Sequence, residues 1–364
     1  MRAFTRRSLL AGGSAALIFS SIVPPRASAG NLAWLACAKT TGGGYQAIGL
    51  NRDGRVNFAV DLPGRGHGVA VSTEGSLAVV FARRPGRFAL VIDIARGEPT
   101  QIFETPEGRH FSGHGFFAAG GTLLYSTEND FEREQGVLGI YDACRSFRRI
   151  GELESHGVGP HEAILLRDGC TVAVANGGIL THPEFSRAKL NIDDMEPSLA
   201  FINAIDGRLL ARAEPPPAWH KLSIRHLAED SAGRVWLGCQ YEGNASDAVP
   251  LIGRTMLGRD IDWLELDTGT YRGMRQYIGS LASFDNNRRI AFTSPVGGRL
   301  AACDVASGAV QIEVACPDIC GLAPAGAEFL SADGAGNLWR GETSLARHPW
   351  LAWDNHITVV PEHV

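Results

Sequence analysis

The chain has 364 residues, 45% of them hydrophobic, and a formal net charge of −5. That proportion of apolar material supports a sizeable packed core, while a mildly acidic balance without a basic tract leaves no electrostatic footprint for nucleic acid or an anionic membrane surface.

In chain order, the first feature is Thr5-Arg6-Arg7-Ser8-Leu9-Leu10, then an uncharged, mildly apolar stretch from Leu9 to Val23, then Pro24-Pro25-Arg26 and the small-residue site Ala27-Ser28-Ala29. This order is that of a twin-arginine export signal. Its apolar stretch, diluted by Gly12 and Gly13, runs for about 15 residues against the about 20 that a membrane helix needs. The expectation is a leader over 1–29 and a single domain over 30–364, monomeric, periplasmic and without a stable membrane span. Export in the folded state permits a cofactor to be loaded beforehand.

Beyond the leader, apolar and polar residues alternate with period 2, and no segment of 12 or more residues keeps a helical period, so the class is all-β. A unit recurs. Strongly apolar second strands are expected over 32–37, 77–82, 122–126, 171–175, 235–239, 290–293 and 328–331. Third strands follow over 45–50, 89–94, 137–141, 199–203, 263–266, 300–304 and 337–339. At about 48 residues per unit, this is the spacing of four-stranded propeller blades.

The first strands read "HGVAVSTEG" from His67, "HGFFAAGG" from His114, "HEAILLRDG" from His161, "HLAEDSAG" from His226, "GSLASFDN" from Gly279, "CGLAPAG" from Cys320 and "HITVV" from His356. The last lies at the carboxy terminus, while the amino end supplies a second strand with no first strand before it. The predicted fold is therefore a seven-bladed β-propeller closed by a blade shared between the N- and C-termini, which pairs edges that would otherwise be exposed. First strands line the channel of such a ring, so His67, His114, His161, His226 and His356 converge at one mouth. Ser280 and Cys320 fall in the two blades without a histidine.

A Gly-His pair in this turn also serves a structural network in tryptophan-aspartate propellers, and Gly66-His67 and Gly113-His114 look like it. The third strands "VIDIARG", "GIYDACR" and "INAIDGR" lack the tryptophan-aspartate pair that such a network needs. Five imidazoles at one register point instead to a metal, because neutral imidazole is the commonest protein metal ligand. Glu162 and Asp354 are candidates to orient them from behind. His348 and His363 lie outside the register.

The twin-arginine leader, the strands "GPHEAILL" and "SIRHLAED", the insertion "GGILTHPEFSRAKLNIDDMEPSL" and the terminal "WDNH" resemble the bacterial proteins grouped as domain of unknown function 1513. The resemblance spans residues 30–364. It implies a periplasmic propeller, often encoded near imelysin-like proteins and a di-haem oxidoreductase-like protein, and so partners in iron or copper handling.

The insertion, Gly177 to Ser198, carries His182, Pro183, Arg187, Lys189, Asn191, Asp193, Asp194 and Met195, more polar functionality than a connection requires. His182, Lys189 and Asn191 are its candidate cofactor-binding residues; a solvated ornament is the bland reading. A parallel loop, Tyr241 to Asp260, follows the next blade. Seven cysteines without a C-x-x-C pair read mostly as buried free thiols, although Cys316 and Cys320 flank a turn and are candidates for a disulfide.

Three functions follow. The first is binding of a transition metal or metallo-cofactor, iron or copper, on the five histidines. The second is a channel-centred enzyme of lactonase or quinoprotein type, with His161 or Glu162 as general base and Arg225 holding an anionic substrate. The third is a scaffold for a periplasmic partner.

Overall fold

The computed structural model describes residues 31–361 apart from Ala119 and Arg187. The expected leader, Arg187 and His363 lie outside the described residues. Strands make almost all of the regular structure, with one short helix, α1 (Thr268–Gly273). They run as β1 (Leu32–Thr40), β2 (Tyr45–Asn51) and β3 (Val56–Leu62), then β4 (Gly66–Val71), β5 (Leu77–Ala82), β6 (Phe88–Asp93) and β7 (Glu98–Glu104). Next come β8 (Arg109–Phe117), β9 (Leu123–Asp130), β10 (Gln135–Asp142) and β11 (Arg148–Glu154), then β12 (Pro160–Leu165), β13 (Thr171–Asn176), β14 (Ser198–Asn203) and β15 (Leu209–Ala213). The chain continues through β16 (Leu222–Glu229), β17 (Val235–Tyr241), β18 (Ile252–Thr255) and β19 (Asp262–Trp263), then β20 (Ser280–Phe284), β21 (Arg289–Ser294), β22 (Arg299–Asp304) and β23 (Val310–Ala315). It ends with β24 (Ile319–Ala325), β25 (Glu328–Asp333), β26 (Asn337–Arg340), β27 (Thr343–Arg347) and β28 (Leu351–Val359).

The sheets β4–β7, β8–β11, β12–β15, β16–β19 and β20–β23 are antiparallel meanders of four strands. The remaining sheet has eight strands, in the order β27-β26-β25-β24-β28-β1-β2-β3. Within it β24 meets β28 through one parallel pair, Leu322 with His356, whereas β28 pairs with β1 antiparallel from Trp34–Val359 to Thr40–Leu351. The first strands β4, β8, β12, β16, β20, β24 and β28 each lie against the next, and β28 lies against β4, which closes the circle. This is a β-propeller.

Burial follows the layering. Second and third strands are largely covered on both faces by neighbouring sheets and most are strongly apolar, as in "LAVVFA" of β5 and "LAFI" of β14, although β9 buries the polar run Ser126 to Asp130. Outer fourth strands alternate, as in "EPTQIFE" of β7 and "VQIEVA" of β23. Aromatic residues fill the wedge between adjacent sheets: Phe81, Phe111, Tyr141 and Phe147 are buried there, with Phe103 stacked on Phe147 at 5.4 Å. Turn acids fix the hairpins. Asp230 accepts from the backbone of Ala232 and Arg234 and from Trp236 Nε1, tying the β16–β17 turn to a buried indole.

Three expectations are corrected. Residues 263–266 are not a third strand; β18 is, and Asp262–Trp263 forms the fourth. "IGRT" is too short and too poor in alternation to read as a strand, and its Gly253 is required by packing, since a Cβ there would lie 2.6 Å from Ile261 Cγ2. Cys316 and Cys320 are both free thiols, the latter buried with Sγ directed at the carbonyls of Ala332 and Trp353. Finally, no first strand begins at its histidine: β4 and β12 start one residue before it, and β8, β16 and β28 start several residues earlier.

Because β28 is the inner partner of β1, truncation after Ala352 should expose the β1 edge and remove the contact that closes the circle. The expected result is loss of a cooperative thermal transition rather than fraying. A melting curve for the truncated protein that overlays the parent would contradict the pairing.

Candidate metal centre

Each histidine of the first-strand set sits where its strand leaves regular pairing with its neighbour. The ladder is interrupted between Gly66 and Val69 around His67, between Phe111 and Gly115 around His114, and between Pro160 and Glu162 at His161. It is interrupted again between Ile224 and His226, and between Trp353 and Ile357 of β28, where His356 lies. Of the two first strands without a histidine, β20 pairs with β21 without a break, whereas β24 is interrupted between Ile319 and Leu322, around Cys320. A bulge re-aims a side chain out of the pleat, and here the rings turn towards one another.

The rings form a compact set. Centroids lie 4.5 Å apart for His356–His67, 4.9 Å for His67–His114, 4.9 Å for His114–His161 and 4.9 Å for His161–His226. His226 and His356, from blades separated by β20 and β24, still approach to 5.0 Å. Two groups, His67–His114–His356 and His114–His161–His226, bring one ring nitrogen per residue within 4.8 Å of one another and could hold a metal ion. Glycines permit the crowding. A Cβ on Gly68 would stand 2.6 Å from the Gly113 carbonyl oxygen, and one on Gly113, whose φ is +110°, would stand 2.7 Å from the His67 ring.

A carboxylate sets the orientation of the His67 ring, and a second lies close to His226. His67 Nδ1 donates to Asp354 Oδ1 at 2.9 Å, which leaves Nε2 as the atom with a lone pair. Asp354 is itself fixed by Arg65 Nε at 2.6 Å and by the backbone N–H of Asn355 at 2.8 Å. Burial works against its charge, but His67, Arg83 and Arg65 outweigh that and hold the carboxyl well below its ordinary range. Glu162 Oε2 lies 3.4 Å from His226 Nδ1 and accepts from the Leu227 N–H at 3.1 Å. Burial pushes the Glu162 carboxyl up. Thr127 Oγ1 reaches the carbonyls of both His114 and His161 and ties two adjacent inner strands together.

All five imidazoles are neutral at pH 7. Burial lowers His67 to about 4, even though Asp354 favours its charged form. Burial lowers His114 and His226 to about 3, the latter helped by Arg225 and Arg83. Burial, then neighbouring rings and guanidiniums, hold His161 and His356 well below the usual range. His114 Nε2, His161 Nδ1, both nitrogens of His226 and His356 Nε2 are buried without a hydrogen-bond partner. Buried polar atoms normally find one; each neutral ring carries one N–H and one lone pair, and a group of such lone pairs brought together is what a cation of the imidazole-preferring metals requires. The residues therefore fit a metal. Neither Cys37 nor Cys320 belongs to these two groups, and burial pushes both thiols up in the metal-free protein.

Beside the rings lies a cavity of about 30 Å³, lined by His67, His161 and His226 together with Arg83, Arg84, Arg225, Ser112, Gln240, Tyr277 and Asn355. Arg225, expected to hold an anionic substrate if the channel is an enzyme's, is thus at the site. Arg83 and Arg84 join it there without having been singled out by the sequence. Their signal is positional: they follow second strand β5 directly, and second strands end at the mouth where first strands begin.

The three insertion candidates are occupied in folding the loop. Asn191 accepts from the Leu180 N–H at 2.7 Å and donates to the Gly178 carbonyl at 2.9 Å. His182 caps the turn Pro183–Phe185, accepting from the Glu184 N–H, with its ring against Phe131 at 4.6 Å. Lys189 pairs with Glu242. None of the three lines the cavity. The insertion is anchored on a neighbouring blade by His110. Its Nδ1 donates to the Phe111 carbonyl, so Nε2 accepts from Thr181 Oγ1 at 3.1 Å. His348 lies apart from the set, with Nε2 donating to the Gly54 carbonyl at 2.8 Å.

The family described as "Protein of unknown function (DUF1513)" matches residues 60–360, and the chain belongs to it. No curated protein matches the sequence. Among solved structures, Kuenenia stuttgartiensis hydrazine synthase is similar with a TM-score of 0.63 at 14% identity, over 93% of this chain and 100% of that one. The β-propeller domain of Myceliophteria thermophila Cps50 (Swd1) is similar with a TM-score of 0.57 at 9% identity, over 85% and 94%. Likeness at such identities establishes the fold alone. No helix of the described residues is long and apolar enough to cross a membrane.

The depressed histidines carry a pH signature in the metal-free protein. Below about pH 6.5 the unfolded chain takes up protons that the folded imidazoles refuse, so stability should fall as pH drops from 6.5 towards 4, by about 1.4 kcal/mol per pH unit for each such histidine once titration is complete. Urea unfolding in chelator at pH 7 and pH 5 should show this loss, and His114→Gln should lessen it. An equal pH dependence in parent and variant would mean that His114 is not held neutral.

Proposed function

We propose that this protein is a periplasmic seven-bladed β-propeller that binds a transition metal, iron or copper, through His67, His114, His161, His226 and His356. The count of seven treats the eight-stranded sheet as two blades, one of them β28-β1-β2-β3 and shared between the chain's two ends. The observation that carries the metal reading is the set of buried, neutral ring nitrogens without partners, gathered in two overlapping groups of three. A bound metal would supply Lewis acidity or electron transfer; the chain's own part is to hold the imidazoles unprotonated and oriented by Asp354 and Glu162. The choice of iron or copper rests on the resemblance, whose gene neighbours suggest handling of those metals, and on an all-nitrogen donor set that suits both.

A channel-centred enzyme is the second reading, favoured by Arg225 on the cavity wall. In that case Glu162 acts less as a base than as an orienting group, since its Oε2 is committed to the Leu227 N–H beside His226.

Metal titration of the parent, His161→Ala and the exposed-site control His220→Ala in one buffer tests the proposal. His161→Ala should weaken binding by about a hundredfold or more, the control should match the parent, and metal at a hundred times its Kd should stabilise the parent by about 2.7 kcal/mol. Identical stoichiometry and affinity in all three would remove the histidines from the metal's coordination.

Delivery to the periplasm is tested separately. With Arg6 and Arg7 both changed to lysine, precursor should accumulate in the cytoplasm, because recognition reads the guanidinium pair rather than charge alone. Normal periplasmic yield of that variant would rule the twin-arginine route out.

A further inference from the structure

We propose that Tyr277 is an oxygen ligand of the metal site, its phenol joining the imidazoles from the blade next to that of His226. The inference rests on the metal reading and adds a donor to it.

The donors run through consecutive blades, with His67 on β4, His114 on β8, His161 on β12 and His226 on β16. The next first strand, β20, begins at Ser280 and has no histidine, but its lead-in places Tyr277 on the wall of the cavity that His67, His161 and His226 line. The backbone is constrained to do so. Helix α1 ends at the buried Met274, whose carbonyl accepts from Ser294 Oγ at 2.6 Å. Arg275 and Gln276 then adopt φ of +47° and +58°, two successive non-glycine residues in the left-handed region. Such a conformation persists only where the surroundings impose it, and here they do. Tyr277 forms an isolated antiparallel bridge with Gln240, flanked by the Tyr241 N–H donating to the Gln276 carbonyl at 3.0 Å and the Ile278 N–H to the Cys239 carbonyl at 3.1 Å. The Gln276 side chain donates to the carbonyls of Asn244 and Asp247, at 2.7 and 3.0 Å. Gly279 leaves room for the phenol ring, since a Cβ there would stand 3.3 Å from Tyr277 Cε1.

The hydroxyl is also uncommitted. Tyr125 and Tyr271 donate theirs to the carbonyls of Ala204 and Leu264, and Tyr141 and Tyr241 to the carboxylates of Glu128 and Asp247. Among the described residues the Tyr277 hydroxyl makes no such bond, nor does that of Tyr45, which lines a different cavity with Arg65 and Asp354. Five neutral imidazoles bring a cation no charge to offset its own, and a phenolate brings one. Ligation forms the bond from Oη to the metal and breaks Oη–H, with the proton passing to solvent.

Iron(III) and copper(II) are loaded separately into the parent, Tyr277→Phe and the control Tyr45→Phe, with metal content, circular dichroism and visible absorption measured on every sample. Phenylalanine keeps the ring and its packing and removes only the oxygen. The parent and the control should show a visible phenolate-to-metal charge-transfer band with at least one of the two metals. Tyr277→Phe should lose that band while still taking up metal through its histidines. Resonance Raman on the loaded parent and Tyr45→Phe adds a readout that holds even if Tyr277→Phe misfolds. Phenolate ring modes in both belong to Tyr277, because the other four hydroxyls are committed within the chain. A parent that binds metal without the band or the modes, or a band that Tyr277→Phe retains, overturns the ligand assignment and leaves the metal centre standing. If the parent takes up neither metal, the metal reading itself fails and the assignment falls with it.

Discussion

The antiparallel pairing of β28 with β1 is the contact on which both ring and site depend. It is sealed along its length, with Trp34 Nε1 donating to the Pro324 carbonyl on one side and Thr358 Oγ1 donating to the Val69 carbonyl on the other. The same segment carries Asp354 and His356. Closing the circle therefore places His356 4.5 Å from His67 and hands His67 its carboxylate. Residues at opposite ends of the chain become one hydrogen-bonded unit only when the last strand docks. Folding of the ring and assembly of the histidine set are thereby coupled.

Crowding then decides the chemistry. An imidazole in water is protonated half the time near pH 6.5. Five such rings at 4.5 to 5.0 Å from their neighbours, walled by guanidiniums, cannot all carry charge, and burial settles the matter in favour of the neutral form. The cost is a group of buried nitrogens that bond to nothing within the chain. Structural histidines elsewhere in this fold show the contrast. His110, also buried, spends both ring nitrogens on a backbone carbonyl and a hydroxyl, whereas His348 spends Nε2 on the Gly54 carbonyl and keeps a buried, unpartnered Nδ1. What sets the channel histidines apart is that their ring nitrogens converge on one another, while His348 stands alone.

Much of this was legible in the sequence, because the blade repeat is a pattern of burial and burial is written in apolar periodicity. Six of the seven expected third strands and all seven expected second strands lie where period-2 reading puts them. What failed did so for local reasons. β18 is four residues long, and its Gly253 and Arg254 hide the alternation. The bulges that turn the histidines inward leave no mark in composition, since they depend on how two strands pair. The disulfide candidate failed because a short spacing says nothing about where Cys320 points. Arg83 and Arg84 read as polar punctuation after β5, and only the closed ring brings them beside Arg225.

The loops that join second to third strands gather at this mouth, and they are linked to it electrostatically. Lys189 of the insertion and Arg225 of the cavity wall share Glu242, which begins the parallel loop of the next blade. Lys221, just ahead of β16, pairs with Asp193 at the insertion's other end. Each of the two lysine pairs has at least one partner open to solvent, and such pairs are individually weak. Their place matters more than their strength. The insertion is held to one neighbouring blade by His110 and Thr181 and to the other by Ser223 Oγ donating to the Gly177 carbonyl, both buried contacts, so the surface charges add a link to the cavity wall at Arg225 rather than the hold itself.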